Sequence, residues 1–346
     1  MTSAFPAQRG AAAWRGTRPY VAGRDRCAYN PRRRFRTLPG VSFALPAMAS
    51  ILCLGMSALD AIYRVAAIPT APTKILATGY LECGGGMAAN ASVAAARLGG
   101  QSHYWGRVGD DELGTRILAQ LAAEGVDTRT VRRVAGCVSP SAAILVADDG
   151  ERLVCAYNDP RLDTDASWLP LDRVAEFSAV LADVRWPAGA AAVLDAARAR
   201  GLPAVLDGDI GPPDVLLDLA RRATHVAFSE PGLRQVAGVP SPGEGLRRMA
   251  AQVSAIVGVT LGADGYLWWD GRGERRLAAP VVKAVDTLAA GDTWHGAFTL
   301  ALAEGSGVEA AARFANIAAA IKCTRFGGRL GAPTRAEVAA FATGNP

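Results

Sequence analysis

From residue 51 onward, short apolar runs of strand length alternate with alanine-rich runs of helix length, and this alternation limits the fold more than any other feature. The apolar runs are ILCLG (51–55), HYWGRV (103–108), AVLADV (179–184), AVLDGD (204–209), THVAFS (224–229) and AIVGVTLG (255–262). Between them lie AANASVAAARLG (88–99), DELGTRILAQLAAEG (111–125) and AGAAAVLDAARARG (188–201), each closing on the glycine that commonly stops a helix. Repeated strand–helix units of this kind predict an α/β fold with a mostly parallel sheet covered by helices on both faces. Two stretches break the alternation. Residues 61–82 and 138–158 read as extended pieces, the second a hairpin turning at Asp148-Asp149-Gly150. They are expected to pair into a small β lid above the crevice at the carboxyl ends of the strands, where open α/β sheets bind ligands.

The chain is 346 residues long and half apolar, enough for a large core, and its six scattered cysteines fit reduced thiols in a cytosolic protein. No apolar run reaches the ~18 residues of a membrane span. The net charge of +5 does not point to nucleic acid. Residues 1–47 carry nine arginines against Asp25, a net of +8, which leaves −3 on residues 48–346. The leader itself is rich in Arg, Pro and Gly without periodicity and is expected to be a disordered basic extension, with Met48 just before the first strand as an alternative start.

Three motifs carry chemistry. ECGGGMAANASVAAARLGG (82–100) sets three glycines before a helix whose first turn holds Asn90, a side chain able to donate to and accept from sugar hydroxyls. It lacks the G-x-G-x-x-G pattern of a dinucleotide site. GMSALD (55–60) delivers Asp60 to the crevice side. VDTLAAGDTWHGAF (285–298) places the N–H groups of Ala290, Gly291 and Asp292 at a helix N-terminus, a setting for an anion, with the Asp292 carboxylate beside it as a general base. His295 reads as a packed residue, Asp110, Asp111 and Glu112 as helix caps, and Trp268-Trp269 as a strand with one buried face.

Taken together, GGGMAANASVAAARLGG…GRVGDDELG and VDTLAAGDTWHGAF resemble the two signatures of the PfkB, or ribokinase-like, carbohydrate kinases over about residues 50 to 335. The resemblance implies a doubly wound α/β body with a β lid that often mediates homodimers, and transfer of the γ-phosphoryl group of Mg·ATP to a sugar hydroxyl. It implies Asp292 as base and the 289–292 turn (Ala289, Ala290, Gly291, Asp292) as anion hole. Asp60, Gly85, Gly86 and Asn90 become sugar contacts, and Thr260, Gly262, Gly265 and Gly328 nucleotide contacts. Glu230 would hold Mg2+ through water, and K+ is a further candidate cofactor. VLADVRW, VLDGDI, AFSEPGL and IKCTRFGGRLGAP look like the 6-deoxy-6-sulfofructose kinases, which phosphorylate the 1-hydroxyl of a sulfonated ketose. That likeness assigns Lys74 and Arg185 to the anionic end of the sugar. The chain departs from the pattern at Ser229-Glu230-Pro231-Gly232, where many members carry Asn-x-x-Glu, at Leu288 in place of Thr, and at Ala156 in place of an Asn. Fructose, ribose, a sugar phosphate or a nucleoside are the alternative acceptors, and a non-catalytic sugar sensor is the alternative outside catalysis.

Overall fold

The strands of the body form because their residues are apolar on both faces. In β1 (Ser50–Gly55), Ile51 and Cys53 enter one hydrophobic cluster while Leu52 and Leu54 enter the other, so the strand needs cover on both sides. Strands β8 (Ala179–Asp183) and β9 (Ala204–Gly208) divide in the same way, with Leu181 and Val205 on one side and Val180 and Leu206 on the other. The computed structural model describes residues 48–149, 151–162 and 165–344. The expected basic extension over residues 1–47 lies outside the described residues.

The remaining strands are β2 (Ala58–Val65), β3 (Gly79–Gly85), β4 (Gln101–Gly109), β5 (Val131–Val134), β6 (Ser141–Ala147), β7 (Arg152–Tyr157), β10 (His225–Ser229), β11 (Ile256–Thr260), β12 (Tyr266–Trp269) and β13 (Glu274–Leu277). Nine of them make one sheet in the order β13-β12-β11-β10-β9-β8-β1-β4-β5. It is parallel from β5 to β11 and antiparallel only across the β11–β12–β13 edge. Helices α1 (Met87–Arg97) and α2 (Glu112–Ala123) cover one face together with α7 (Ala290–Ala303), α8 (Val308–Cys323) and α9 (Arg335–Ala342). The other face is covered by α3 (Pro187–Arg198), α4 (Pro213–Arg222), α5 (Glu230–Ala237) and α6 (Pro242–Ala250). The strand order reverses at β1 and β8, so the crevice opens above those two strand ends.

Strands β3-β2-β6-β7 form a separate four-stranded sheet, β6 and β7 being the hairpin expected over 138–158. Its own small core is Ile62, Cys83, Ala142, Ile144 and Val146, with Leu288 of the body packed against it. Asp111 caps α2 by accepting from the Gly114 N–H at 2.7 Å, and Trp268 is buried on β12, both as expected. Among the described residues no helix is long and apolar enough to cross a membrane, and Cys53, Cys83, Cys137, Cys155 and Cys323 are free thiols.

Candidate active site

Helix α7 starts from a turn that its sequence enters under strain. Ala289, its N-cap, has φ 61°, the left-handed region that an alanine enters at a cost of about 1–2 kcal/mol, and is the one such non-glycine among the described residues. The strain aims the first turn. The N–H of Ala290 is taken by Thr287 O at 3.2 Å, whereas those of Gly291 and Asp292 have no acceptor among the described residues. This corrects the three-donor hole expected from sequence. Two free N–H groups face outward at the positive end of the helix dipole.

Asp292 does not cap the helix. Its Oδ2 accepts a 2.7 Å hydrogen bond from Nδ2 of Asn90 on α1. The two helices come close because Gly296 lies against Ala91: a Cβ there would stand 2.3 Å from the Ala91 carbonyl oxygen. Partial burial and the nearby Asp207 carboxylate push the Asp292 pKa up to about 7, with the Asn90 bond pulling the other way. Asn90 is itself buried, and its Oδ1 has no protein partner. That acceptor next to a carboxylate suits a hydroxyl donor.

Asp60 lies on β2 at the root of the lid, buried, its pKa raised to about 6 by that burial against the lowering effect of Arg329. A Cβ on Gly85 would sit 2.1 Å from Asp60 Oδ2, so the glycine run is bare where this carboxylate crosses it. Gly86 is the N-cap of α1. Asp60, Gly85, Gly86 and Asn90 therefore share the base of the crevice. The guanidinium of Arg329 lies against neighbouring Gly84, with Nε and Nη1 unpartnered.

The carboxyl ends of β8 and β9 add acids that sequence reasoning missed. Asp183 is fully buried; its Oδ2 accepts from Met56 N at 2.8 Å and Ala88 N at 3.1 Å, and its Oδ1 from Arg185 N at 2.8 Å. Asp207 is buried beside Asp209 and Asp183, and burial with these like charges raises its pKa well above the usual carboxylate range. Asp209 accepts from Ser229 Oγ at 2.8 Å and from Arg185 Nη2 at 3.0 Å. The alternating acids of VLDGDI at a strand end were the available signal. His295 is packed as expected, its ring nitrogens 2.8 Å from Gly291 O and 3.0 Å from Ala227 O.

A cavity of about 220 Å³ opens between the ends of β1 and β8 and the lid-side segment 158–162, lined by Gly55, Met56, Arg107, Arg185, Asn158 and Asp159 among others. Arg185 is thus at the crevice. Lys74 is exposed on the 66–78 connection and is not among the residues that line the cavity. The second cation there is Arg107, whose guanidinium stacks 4.1 Å over the Trp186 ring.

Thr260, Gly262 and Gly265 gather at the turn after β11, where Thr260 Oγ1 donates to Phe228 O at 3.3 Å. Gly328 is placed apart from them, against Leu288, Cys83 and Ile62, with its N–H donated to Asp286 Oδ2 at 3.0 Å. Glu230 opens α5 and pairs with Arg234 at 3.1 Å on the surface. No three His, Cys, Asp or Glu side chains converge as a metal cage among the described residues. Carboxylate oxygens such as those of Asp209 and Glu230, which follow the neighbouring strands β9 and β10, are the donor type that a divalent ion held through water would use.

Just before the turn, Asp286 is buried and fully engaged. Its Oδ1 accepts from Leu288 N at 2.8 Å, its Oδ2 from the N–H groups of Gly327 and Gly328 at 3.0 Å each, and its main-chain oxygen from Lys322 Nζ at 2.7 Å.

Comparison with known proteins agrees with this geometry. The family model described as pfkB family carbohydrate kinase matches residues 48–335. The ribokinase of Bacillus subtilis (strain 168) is 32% identical over 293 residues, covering 84% of this chain and 98% of its own. A protein assigned as a ribokinase from Agrobacterium tumefaciens has a crystal structure that superposes with a TM-score of 0.83 at 42% identity, covering 86% of this chain and 98% of that one. The Arabidopsis thaliana ribokinase complexed with ribose and ATP shares the fold at 23% identity, with a TM-score of 0.74 over 86% of this chain and 99% of that one.

Proposed function

The chain belongs to the pfkB family of carbohydrate kinases, and on that footing we propose that it transfers the γ-phosphoryl group of ATP to a hydroxyl of a small sugar, with Asp292 taking the proton as the hydroxyl oxygen attacks phosphorus. The observation that carries this reading is the Asp292 carboxylate, held by the single Asn90 donor beside two free N–H groups at the start of α7. Those N–H groups would receive the negative charge on the phosphoryl oxygens in flight. Asp60, Asn90 and the main chain of Gly85 and Gly86 would hold the other hydroxyls. Thr260, Gly262 and Gly265 would border the nucleotide, with Gly328 supporting the lid. Magnesium brought in on ATP would neutralise charge on the phosphates, and Asp209 and Glu230 would hold its water shell.

Among sugars, we favour a ketose with an anionic far end, of which 6-deoxy-6-sulfofructose phosphorylated at its 1-hydroxyl is the type. Arg107 and Arg185 on one small cavity support this, since guanidinium groups suit sulfonate or phosphate oxygens. The edge strand β7 is exposed along its whole length, including Leu153, Val154 and Tyr157, which supports a homodimer through the lid.

An ADP-release screen with 6-deoxy-6-sulfofructose, fructose 6-phosphate, fructose, ribose and adenosine tests the acceptor. An anionic ketose should give the highest kcat/KM, and Arg185→Ala should raise its KM at least ~10-fold while leaving fructose nearly unchanged, whereas Lys74→Ala should change either by less than about 2-fold. If ribose or neutral fructose is preferred, the anionic assignment is lost and the generic sugar kinase stands. If adenosine wins, the acceptor is a nucleoside. No turnover with any of the five would favour a sugar-binding sensor.

A further inference from the structure

Lys322 has no role in the chemistry above, yet it is among the most deeply buried cations of the molecule. It lies in the last turn of α8, and its side chain is wholly shielded from solvent. Nζ stands 2.7 Å from Asp286 O and 3.3 Å from Asp286 Oδ2. The N–H groups of Val285 and Asp286 in turn donate to Cys323 O at 2.7 and 3.1 Å. The strand-like stretch 285–288 is therefore fastened to the end of α8 and to the 327–328 loop immediately before it becomes the turn at Ala289.

A buried ammonium and a potassium ion ask the same of their surroundings: one positive charge enclosed by carbonyl and carboxylate oxygens. The Asp286 oxygens would be natural donors to such an ion, and the Lys322 ammonium already occupies them. A monovalent-cation site at Asp286 does not fit this chain. We propose that Lys322 is a built-in monovalent cation for the phosphoryl-binding turn, so that this kinase works without potassium. The inference rests on the kinase reading. Lys322 is a positioning residue: it acts through Asp286, whose carboxylate and carbonyl fix the course of residues 286–289 and so the direction of the Gly291 and Asp292 N–H groups. Its fixed charge also spares the buried Asp286 carboxylate from standing alone.

The test compares potassium, sodium and tetramethylammonium chloride at equal ionic strength, with MgATP and the best sugar from the screen. Wild-type kcat should agree within about 2-fold in all three salts, and its melting temperature should not rise specifically with potassium. A potassium stimulation of ~10-fold or more, or a saturable potassium-specific rise in melting temperature, overturns the proposal. Lys322→Ala opens the position to an ion: its kcat in tetramethylammonium should fall at least ~10-fold and recover in potassium or ammonium, with a matching gain in melting temperature. Lys322→Met, which fills the same space, should not be rescued. A folded Lys322→Ala with wild-type kcat in tetramethylammonium, or one that no ion restores, also overturns it. If the alanine variant does not fold, the wild-type salt series decides alone. Absence of turnover with every sugar would sink the kinase reading instead, leaving the wild-type melting series to judge the cation site.

Discussion

Two aspartates six residues apart in VDTLAAGD show how one motif divides structural and chemical work. Asp286 receives three N–H donors and an ammonium, and every one of those contacts is internal. Asp292 receives one donor, from Asn90, and stands partly open to the crevice with its pKa pushed up to about 7. Burial is the first cause of the raised Asp292 pKa, with the neighbouring Asp207 charge adding to it and the one Asn90 hydrogen bond opposing it. The same residue type thereby serves as a clamp at one end of the turn and, in the proposed reaction, as a base at the other. What separates the two acids is their surroundings: internal donors on every side of Asp286, one donor and the crevice at Asp292.

The largest effect that would break this contrast is on turnover. Asp292→Asn should lower kcat by at least ~10²-fold while ATP still binds, measured by steady-state kinetics and calorimetry. Its stability should move the other way. A carboxyl group whose pKa is higher folded than unfolded makes the native state lose stability as pH rises from about 4 to about 7, so Asp292→Asn should melt above wild type at pH 8 and level with it near pH 4. For the same reason wild-type kcat/KM should fall as pH drops through about 7, because the protonated base cannot accept a proton.

Asp286→Ala should lower stability as well as loosening the turn that carries turnover. It leaves the Lys322 ammonium buried and uncompensated, a loss of ~3–5 kcal/mol in denaturant unfolding. Equal melting curves for Asp286→Ala and wild type would erase the distinction between the two acids. Asp60→Asn should raise the sugar KM by roughly 10-fold with a smaller change in kcat, since in the proposed reaction Asp60 would hold a sugar hydroxyl and not the transferred group. The smallest effect belongs to Ala289→Gly, which relieves the left-handed alanine and should shift stability by no more than ~1 kcal/mol, with kcat within about 2-fold.

Much of this was legible in the sequence for a physical reason. The parallel strands are buried on both faces, so they appear as apolar runs, and all six expected runs are strands of the nine-stranded sheet. The lid hairpin was legible because its turn residues interrupt two extended runs. Asp292, Asn90 and Asp60 were legible because glycines and a helix start mark where backbone approaches a ligand. The Asp286–Lys322 pair was not, since 36 residues separate its members and nothing local marks a buried lysine among alanines. Arg107 escaped notice because it alternates with apolar residues along β4 like any strand-end cation, and only the crossing of β1, β4 and β8 brings it to Arg185. Lys74, by contrast, is exposed and stands outside the lining of the cavity, which its place in an extended stretch did not reveal.

Asp183 has a mechanical consequence. The chain departs for the lid just after Met56 and returns to the body just before Ala88, and one carboxylate oxygen holds the N–H groups of both. The two stems are pinned at a common point, like the legs of a drawing compass at its joint. Splaying the two stems of the β2–β3 arm, or sliding one past the other, would break a hydrogen bond to this buried carboxylate. Because β6 pairs with β2 along seven residues, the β6–β7 hairpin is carried on the same arm. Any opening of the crevice that keeps these two bonds would turn the lid about one point, set by a buried acid of the body.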